Sequence, residues 1–341
     1  MNRRVSRPTS RLLALSFQPY AFVDYATQGY SALVALLILF FHNGTVPIWG
    51  GLVLAHVAQL VAVHALIHRH ARGEAGRVLD FLRHFYPVLL YTGFFRETGS
   101  LNRMFFTQFM DPMVIHWEQA LFGCQPSVLF MHHFPYLWLS ELFYISYFSY
   151  YVMIAGVGLA LYLRHRGQFF HYVSVVSFVF YVCYTIYIFL PVIGPRVFFR
   201  EIDGYQLPAA VQQLAPVDTY PEIVRHGLFF HIMAWIYKVF EAPGAAFPSS
   251  HVAVAWCTVY FSFRYLRPIR SLHAGMAVLL CLATIYCRYH YVVDVLAGLA
   301  TVVVLLPLSN KLYARFYRPS VEPTPLVVRA TQAAPAQRVR S

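Results

Sequence analysis

His290 and Asp294 have the residue types and the spacing of a nucleophile with a supporting carboxylate. They are four residues apart, so on a helix they lie on one face. A carboxylate beside an imidazole selects one ring tautomer and makes the other nitrogen more basic and more nucleophilic. An interhelical polar contact has the same pattern. The pair therefore indicates either a reactive histidine or a structural hydrogen bond.

A second polar stretch, Pro248-Ser249-Ser250-His251, has the composition of a helix start. Proline suits the first helical turn because its missing N–H would have no partner inside the helix. The free N–H groups of that turn, together with the helix dipole, favour a bound anion. The stretch predicts an anion site next to His251, and an ordinary helix cap is the alternative.

Two arginines near these stretches complete the set of candidate residues. Arg196 follows the Gly194-Pro195 turn, and Arg288 lies two residues before His290. The guanidinium group is planar and permanently charged, and it matches the oxygens of a phosphate. Two histidines, two arginines, hydroxyl groups and one carboxylate indicate a phosphoryl-transfer site. No metal or cofactor is needed if the arginines and the helix N-terminus neutralise the phosphate.

The elements that carry these residues are predicted to be membrane helices. The chain of 341 residues is 59% hydrophobic and only 12% charged, which excludes an ordinary soluble domain. A helix that crosses the hydrocarbon needs roughly 20 mostly apolar residues. Eight spans are expected, with six or seven as alternatives because the third run is short and charged. The apolar runs are 20–41, 47–68, 79–95, 136–163, 169–193, 249–266, 270–287 and 290–310.

The basic residues predict how the spans are oriented. With a cytoplasmic N-terminus, the inner segments hold 18 of the 26 Lys and Arg residues, as the positive-inside pattern requires. Both termini are then cytoplasmic. The three polar stretches, 191–196 with Arg196, 247–251 with His251 and 288–294 with His290, lie on the extracytoplasmic or lumenal face. Topology and attraction to anionic headgroups thus explain the net charge of +12, and no nucleic-acid partner is expected.

The remaining segments indicate the organisation of the chain. Four regions are expected: a basic cytoplasmic N-terminus (1–19), membrane helices with an outer amphipathic segment (20–135), a catalytic membrane domain (136–318) and a disordered basic tail (319–341). The outer segment at 96–135 is interpreted as a surface cap or a substrate gate. Five cysteines without a CxxC pattern indicate neither a disulfide framework nor a zinc site. For His56, His64 and His68, interhelical or interfacial hydrogen bonds are favoured over a haem or metal site.

The order of the motifs resembles the type 2 phosphatidic acid phosphatase (PAP2) superfamily of integral membrane enzymes. Arg196 is followed by Pro-Ser-x-His ending at His251, and then by His-x-x-x-Asp from His290 to Asp294 with Val-Leu-Ala-Gly after it. The resemblance covers about residues 190–300 and implies a helical catalytic core. It implies that His290 forms a phosphohistidine, that Asp294 orients His290, and that His251 protonates the leaving alkoxide. The phosphate-binding residues that it implies are Arg196, Ser249 and Ser250.

The chain departs from that family pattern at several positions. Pro195 precedes the arginine instead of following it, and Ser250 stands where the family has Gly. Thr284 occupies the position of the third-motif arginine, so a phosphate-binding role for Arg288 is a hypothesis. Phe189 stands where a lysine is expected. The Gly-Pro-Arg and Tyr-His-Tyr sequences are more similar to the inositolphosphotransferase and sphingolipid-synthase branch, in which an alcohol replaces water as the acceptor.

The sequence therefore predicts an all-α polytopic membrane bundle of six to eight spans with a PAP2-like core. The expected function is a lipid phosphatase or phosphotransferase that acts on a phospholipid or sphingolipid. An inositolphosphoceramide-synthase-like transferase is the alternative. A transporter or a silent lipid-binding protein of the same fold is the non-enzyme alternative, because the fold alone does not decide activity.

Overall fold

The computed structural model describes residues 17–74, 76–200, 205–214 and 220–318. Within these ranges the chain forms α-helices and no β-strand, which confirms the predicted all-α fold class. The tail predicted at 319–341 and most of the basic N-terminus lie outside the described residues. The helices are α1 (Phe22–Phe41), α2 (Trp49–Ala71), α3 (Arg77–Leu101), α4 (Asp111–Phe122), α5 (Pro126–His133), α6 (Leu137–Arg164), α7 (Arg166–Phe189), α8 (Pro195–Phe198), α9 (Ala209–Gln212), α10 (Glu222–Arg225), α11 (Leu228–Phe240), α12 (Ser250–Tyr265), α13 (Arg270–Tyr286) and α14 (Val292–Phe316).

Six helices of the described chain are long and apolar enough to cross a membrane. Two further helices, α3 and α12, occupy the other expected spans. Helix α3 carries Arg83 and His84, and α12 has only 16 residues, so neither has the length and apolar composition of the other six. The protein is thus an integral membrane protein. The six spans are Phe22–Phe41, Trp49–Ala71, Leu137–Arg164, Arg166–Phe189, Arg267–Tyr286 and Val292–Phe316.

Helix α7 forms the centre of the bundle. It packs against α1, α3, α6, α12 and α14, and most of its side chains are buried. Its sequence is apolar and aromatic all round, as expected for a helix with protein on every side. Small and aromatic residues from the surrounding helices complete one continuous core. The helices that carry the candidate residues are therefore positioned against a common axis.

Buried polar contacts join α1, α2 and α3. The Arg83 guanidinium donates to both carboxylate oxygens of Asp24, at 3.0 and 2.7 Å. His56 of α2 lies 2.8 Å from the Ser31 hydroxyl and 2.9 Å from Glu97 Oε1. Charged groups at membrane depth are costly unless they are paired, and these groups are paired. The interhelical role favoured for His56 agrees with these distances.

Helices α4 and α5 lie over the bundle at the end where α3 and α7 finish. Helix α4 packs against α14, and α5 packs against α13. Proline begins each helix near its first turn, at Pro112 and Pro126, and Gly123 ends α4 in the left-handed conformation (φ 67°). These two short helices bring the outer amphipathic segment onto the chain stretches that contain the candidate site residues.

Candidate active site

Backbone hydrogen bonds join the three polar stretches at one end of the bundle. The N–H of Ser249 donates to the carbonyl oxygen of Asp294 at 3.0 Å, and the N–H of Arg196 donates to the carbonyl oxygen of Arg288 at 2.8 Å. Gly194 has a φ of 91°, and a Cβ there would lie 2.9 Å from the carbonyl oxygen of Tyr289. The turn before Arg196 therefore requires glycine to approach the His290 loop.

His251 and His290 face each other across the site. Their ring centroids are 5.6 Å apart, with the ring planes at 60°. His290 Nδ1 lies 3.4 Å from Asp294 Oδ2, which also accepts a hydrogen bond from the N–H of Tyr291 at 2.9 Å. Burial lowers the pKa of His290 to about 4, and the Ala246 carbonyl opposes that shift. The His290 ring is therefore neutral at pH 7, as a nucleophile must be.

His251 lies at the start of α12 among aromatic rings. Its ring centroid is 4.7 Å from that of Tyr150 and 5.2 Å from that of Tyr147. Its Nδ1 atom is buried and has no hydrogen-bond partner among the described residues. A buried polar atom without a partner is uncommon and is often associated with function. This nitrogen is therefore available to a ligand or a proton.

Ser249 and Ser250 begin α12, and Pro248 lies before the helix and not in its first turn, where the sequence placed it. Ser249 is the N-cap residue, and its hydroxyl accepts a hydrogen bond from the N–H of Val252 at 3.4 Å. The N–H of Ser250 donates to the Tyr187 hydroxyl at 3.2 Å. A Cβ on Gly298 of α14 would lie 2.6 Å from the Ser249 carbonyl oxygen, so this glycine lets the two helices approach. The α12 N-terminus is thus held against α14 and its Asp294.

Arg196 lies at the rim of the site on an aromatic stack. Its guanidinium carbon is 4.8 Å from the centroid of the Tyr237 ring, which stacks on Tyr289 at 4.1 Å with a 6° angle. The guanidinium also forms an ion pair with Glu241, and its side chain is 19% exposed. Burial alone would lower the pKa of Arg196, but the Glu241 carboxylate together with Tyr220 and Tyr237 outweighs burial and raises it. A permanent positive charge therefore stands beside the residue that precedes His290.

The side chain of Arg288, the second candidate arginine, packs against Tyr220 and Val128. Its φ of 61° is in the left-handed region, and its guanidinium lies 5.4 Å from the centroid of the Tyr220 ring. One guanidinium nitrogen donates to the carbonyl oxygen of Val128 at 3.4 Å. The side chain is buried and does not line the cavity that contains His251 and His290. Arg288 therefore contacts the Arg196 loop through its backbone carbonyl, which accepts the hydrogen bond from the N–H of Arg196.

Asp111 is a residue of the site that the sequence did not single out. It is fully buried at the start of α4. One carboxylate oxygen accepts from the N–H of Ile193 at 2.8 Å, and the other accepts from the N–H of Gly194 and the Tyr291 hydroxyl, each at 2.9 Å. Burial raises the pKa of Asp111 to about 7, although these hydrogen bonds act in the opposite direction. Asp111 thus joins the Arg196 loop to the His290 loop.

Glu118, two helical turns after Asp111 on the same face of α4, is the second such residue. Its Oε1 atom accepts hydrogen bonds from the N–H groups of Val292 and Val293, which begin α14. Burial raises the pKa of Glu118 to about 8, these hydrogen bonds lower it, and the nearby Asp294 raises it further. An acidic residue inside an aromatic outer segment was the only available sequence signal, and it did not indicate which partner the carboxylate would have.

A cavity of about 480 Å³ begins at the pair His251 and His290. Ser250, His251, Tyr289 and His290 line one end, and side chains of α3, α6, α7 and α11 line the remainder. The lining is mainly aromatic and aliphatic. Within the described residues no group of three or more His, Cys, Asp or Glu side chains could hold a metal ion.

Comparisons with known proteins agree with the resemblance of the motifs. The family model described as the PAP2 superfamily matches residues 112–308, which is more than half of the chain. A PA-phosphatase related-family protein of Dictyostelium discoideum is 37% identical over 75 residues, which are 22% of this chain and 13% of that relative. No solved structure matches the chain. With a family match over residues 112–308, which include His251, His290 and Asp294, the chain belongs to the PAP2 superfamily.

Proposed function

We propose that this protein is an integral membrane phosphatase or phosphotransferase that acts on a phosphorylated lipid through a phosphohistidine at His290. Membership in the PAP2 superfamily supports a phosphatase-type enzyme in general. The observation that carries the finer proposal is the histidine pair at the end of an apolar cavity. The two ring centroids are 5.6 Å apart, and the Asp294 carboxylate lies at Nδ1 of His290.

In the first half of the reaction, His290 Nε2 attacks the phosphorus of the bound ester. The N–P bond forms as the bond to the leaving oxygen breaks, and a protonated His251 gives its proton to that oxygen. Burial lowers the pKa of His251 to about 3, and the negative charge of the bound phosphate ester raises it so that His251 holds this proton. Asp294 holds the tautomer with the proton on Nδ1 and stabilises the positive charge that develops on the ring. Arg196 and the positive end of the α12 helix dipole stabilise the phosphate oxygens.

In the second half, an acceptor hydroxyl attacks the phosphorus of the phosphohistidine. His251, now neutral, takes the proton of the acceptor, and the N–P bond breaks to restore His290. Water as the acceptor gives a phosphatase. A lipid alcohol gives a transferase like inositolphosphoceramide synthase, and the Gly194-Pro195-Arg196 sequence favours this second candidate. The distribution of basic residues supports cytoplasmic termini and an extracytoplasmic or lumenal site.

The experiment measures phosphate release and phosphoenzyme formation by the purified protein. A radiolabelled lipid phosphate is supplied with and without an alcohol acceptor, and the protein is tested for acid-labile, base-stable label. We expect labelled protein, and a loss of both label and turnover in His290→Ala. His133→Ala, an exposed histidine of α5, is the matched control. Turnover by His290→Ala at the wild-type rate would overturn the proposal.

A further inference from the structure

We infer that a hydrocarbon chain of the substrate lies in a cleft between α3 and α6, with α7 as its floor. This inference rests on the proposed function, because it takes the phosphate to be at His290. It assigns a role to α3, which lies before the region that matches the family model. Helix α3 then contributes directly to substrate binding.

The cleft is closed at the end far from the histidines. There, the Phe85 ring of α3 lies 4.9 Å from that of Tyr162 of α6 and 5.0 Å from that of Phe169 of α7, measured between centroids. From this aromatic cluster to the histidines, α3 and α6 both pack on α7, and the cavity lies between them. The lining residues of α7 run from Phe169 to Tyr184, a helical length of roughly 22 Å.

The walls of the cleft present mainly carbon surfaces to its interior. The Tyr91 hydroxyl is hydrogen-bonded to Ser177 at 2.7 Å, and the Tyr172 hydroxyl to the carbonyl oxygen of Ile154 at 3.1 Å. Because protein groups already satisfy these hydroxyls, the rings offer apolar contact more than polar recognition. A hydrocarbon chain fits such a wall, whereas a sugar or a second charged group would lack partners.

The rim of the cleft is open toward the side of the bundle. Val88 and Thr92 of α3 and Ala155 and Leu159 of α6 line the cavity and are exposed. In a membrane-spanning bundle, exposed side chains at this depth face lipid. A chain can therefore enter sideways from the bilayer while the phosphate remains at the polar end, where Ser250, His251 and His290 line the same cavity.

Single substitutions on the two rims test the cleft. Ala155→Trp and Thr92→Trp place a large ring at the opening from α6 and from α3. Val152→Trp and Leu89→Trp are matched controls, because both residues are exposed on the same helices and neither lines the cavity. All four positions are exposed, so an added ring disturbs packing least there. The substrates are butyl phosphate and hexadecyl phosphate, and binding of hexadecyl phosphonate, which cannot be hydrolysed, is measured in parallel.

We expect the rim variants to lose about tenfold or more in kcat/KM for hexadecyl phosphate, the loss caused by excluding roughly two methylene groups from burial. Butyl phosphate should be hydrolysed as by the wild type, and the controls should behave as the wild type with both esters. Equal kcat/KM values for rim and control variants with hexadecyl phosphate would overturn the cleft and leave the proposed function intact. If the wild type turns over neither ester, with or without an alcohol acceptor, the proposed function fails. In that case, weaker phosphonate binding by the rim variants than by the controls would still support the cleft, and equal binding would overturn it.

Discussion

The hydroxyl of Tyr291 donates a hydrogen bond to Asp111 Oδ1 at 2.9 Å, across 180 residues of the chain. Tyr291 directly follows His290, and the same carboxylate oxygen accepts from the N–H of Gly194, two residues before Arg196. One buried carboxylate on the short helix α4 thus fixes the relative positions of the proposed nucleophile loop and the proposed phosphate-binding loop. The catalytic geometry depends on α4 as well as on the membrane helices.

Replacement of Asp111 should damage catalysis without removing any group that contacts substrate. In Asp111→Ala the three hydrogen bonds are lost, and we expect kcat to fall by about 10²-fold, the cost of small misplacements of reacting groups. KM should change less, because the cavity is untouched. Steady-state kinetics of the purified variant measure this split, with Glu222→Gln, an exposed acidic residue, as the control. An unchanged kcat in Asp111→Ala would contradict the positioning role.

Glu118 should make the stability of the protein depend on pH. Its pKa rises from an ordinary 4.5 to about 8 in the folded protein, so the folded state holds more protons than the unfolded state between these values. The free energy of unfolding should therefore decrease as the pH rises from about 4.5 to about 8. Asp111, with its pKa raised to about 7, acts in the same direction.

Glu118→Gln keeps a hydrogen-bond acceptor for the N–H groups of Val292 and Val293 but cannot ionise. We expect the midpoint of thermal unfolding in detergent to fall less between pH 5 and pH 8 in this variant than in the wild type. Glu222→Gln, at an exposed position, should leave the wild-type dependence unchanged. If Glu118→Gln shows the full wild-type decrease, the buried carboxyl of Glu118 is not its source.

His251 and His290 should respond differently to the leaving group. His290→Ala should abolish turnover with every ester, because the nucleophile is lost. His251→Ala should reduce turnover of a lipid phosphate by about 10²–10⁴-fold, the usual contribution of general acid–base catalysis. An aryl phosphate, whose leaving group needs no proton, should partly restore the rate of His251→Ala. Equal losses in the two variants with both substrate types would refute this division of roles.

The two arginines should also differ. Arg196→Lys keeps the positive charge but loses the planar group that stacks on Tyr237, so we expect at least about a tenfold loss in kcat/KM. Arg288→Lys should cost less activity and more stability, because the Arg288 guanidinium is buried against Tyr220 and Val128. Kinetics and thermal unfolding of both variants check the order. A greater kcat/KM loss in Arg288→Lys would return Arg288 to the phosphate site.

Activity should persist in excess chelator. The proposed chemistry neutralises the phosphate with Arg196 and the α12 N-terminus and involves no metal at any step. Phosphate release is measured before and after dialysis against EDTA. Complete loss that magnesium restores would require a different mechanism.

The sequence by itself determined most of the helices and the short-range contact between His290 and Asp294. Long apolar runs must become helices in a membrane, because lipid offers no partner to backbone N–H and C=O groups. The predicted runs at 136–163 and 270–287 accordingly agree with α6 and α13 within one residue at each end. The contact between His290 and Asp294 is similarly local, although His290 lies two residues before α14 begins at Val292 and so is not on the predicted helical face.

Only the tertiary structure decided which distant groups meet. The contacts of Asp111 with Tyr291 and of Glu118 with Val292 cross more than 170 residues, and no periodicity encodes such pairs. The direction of the Arg288 side chain depends on a left-handed backbone angle that arises where the α13–α14 turn packs on neighbouring segments. The cleft likewise exists because α3 and α6 each pack on α7 and touch each other at Phe85 and Tyr162. Such shapes follow from side-chain packing between helices, which the order of residues along one helix does not specify.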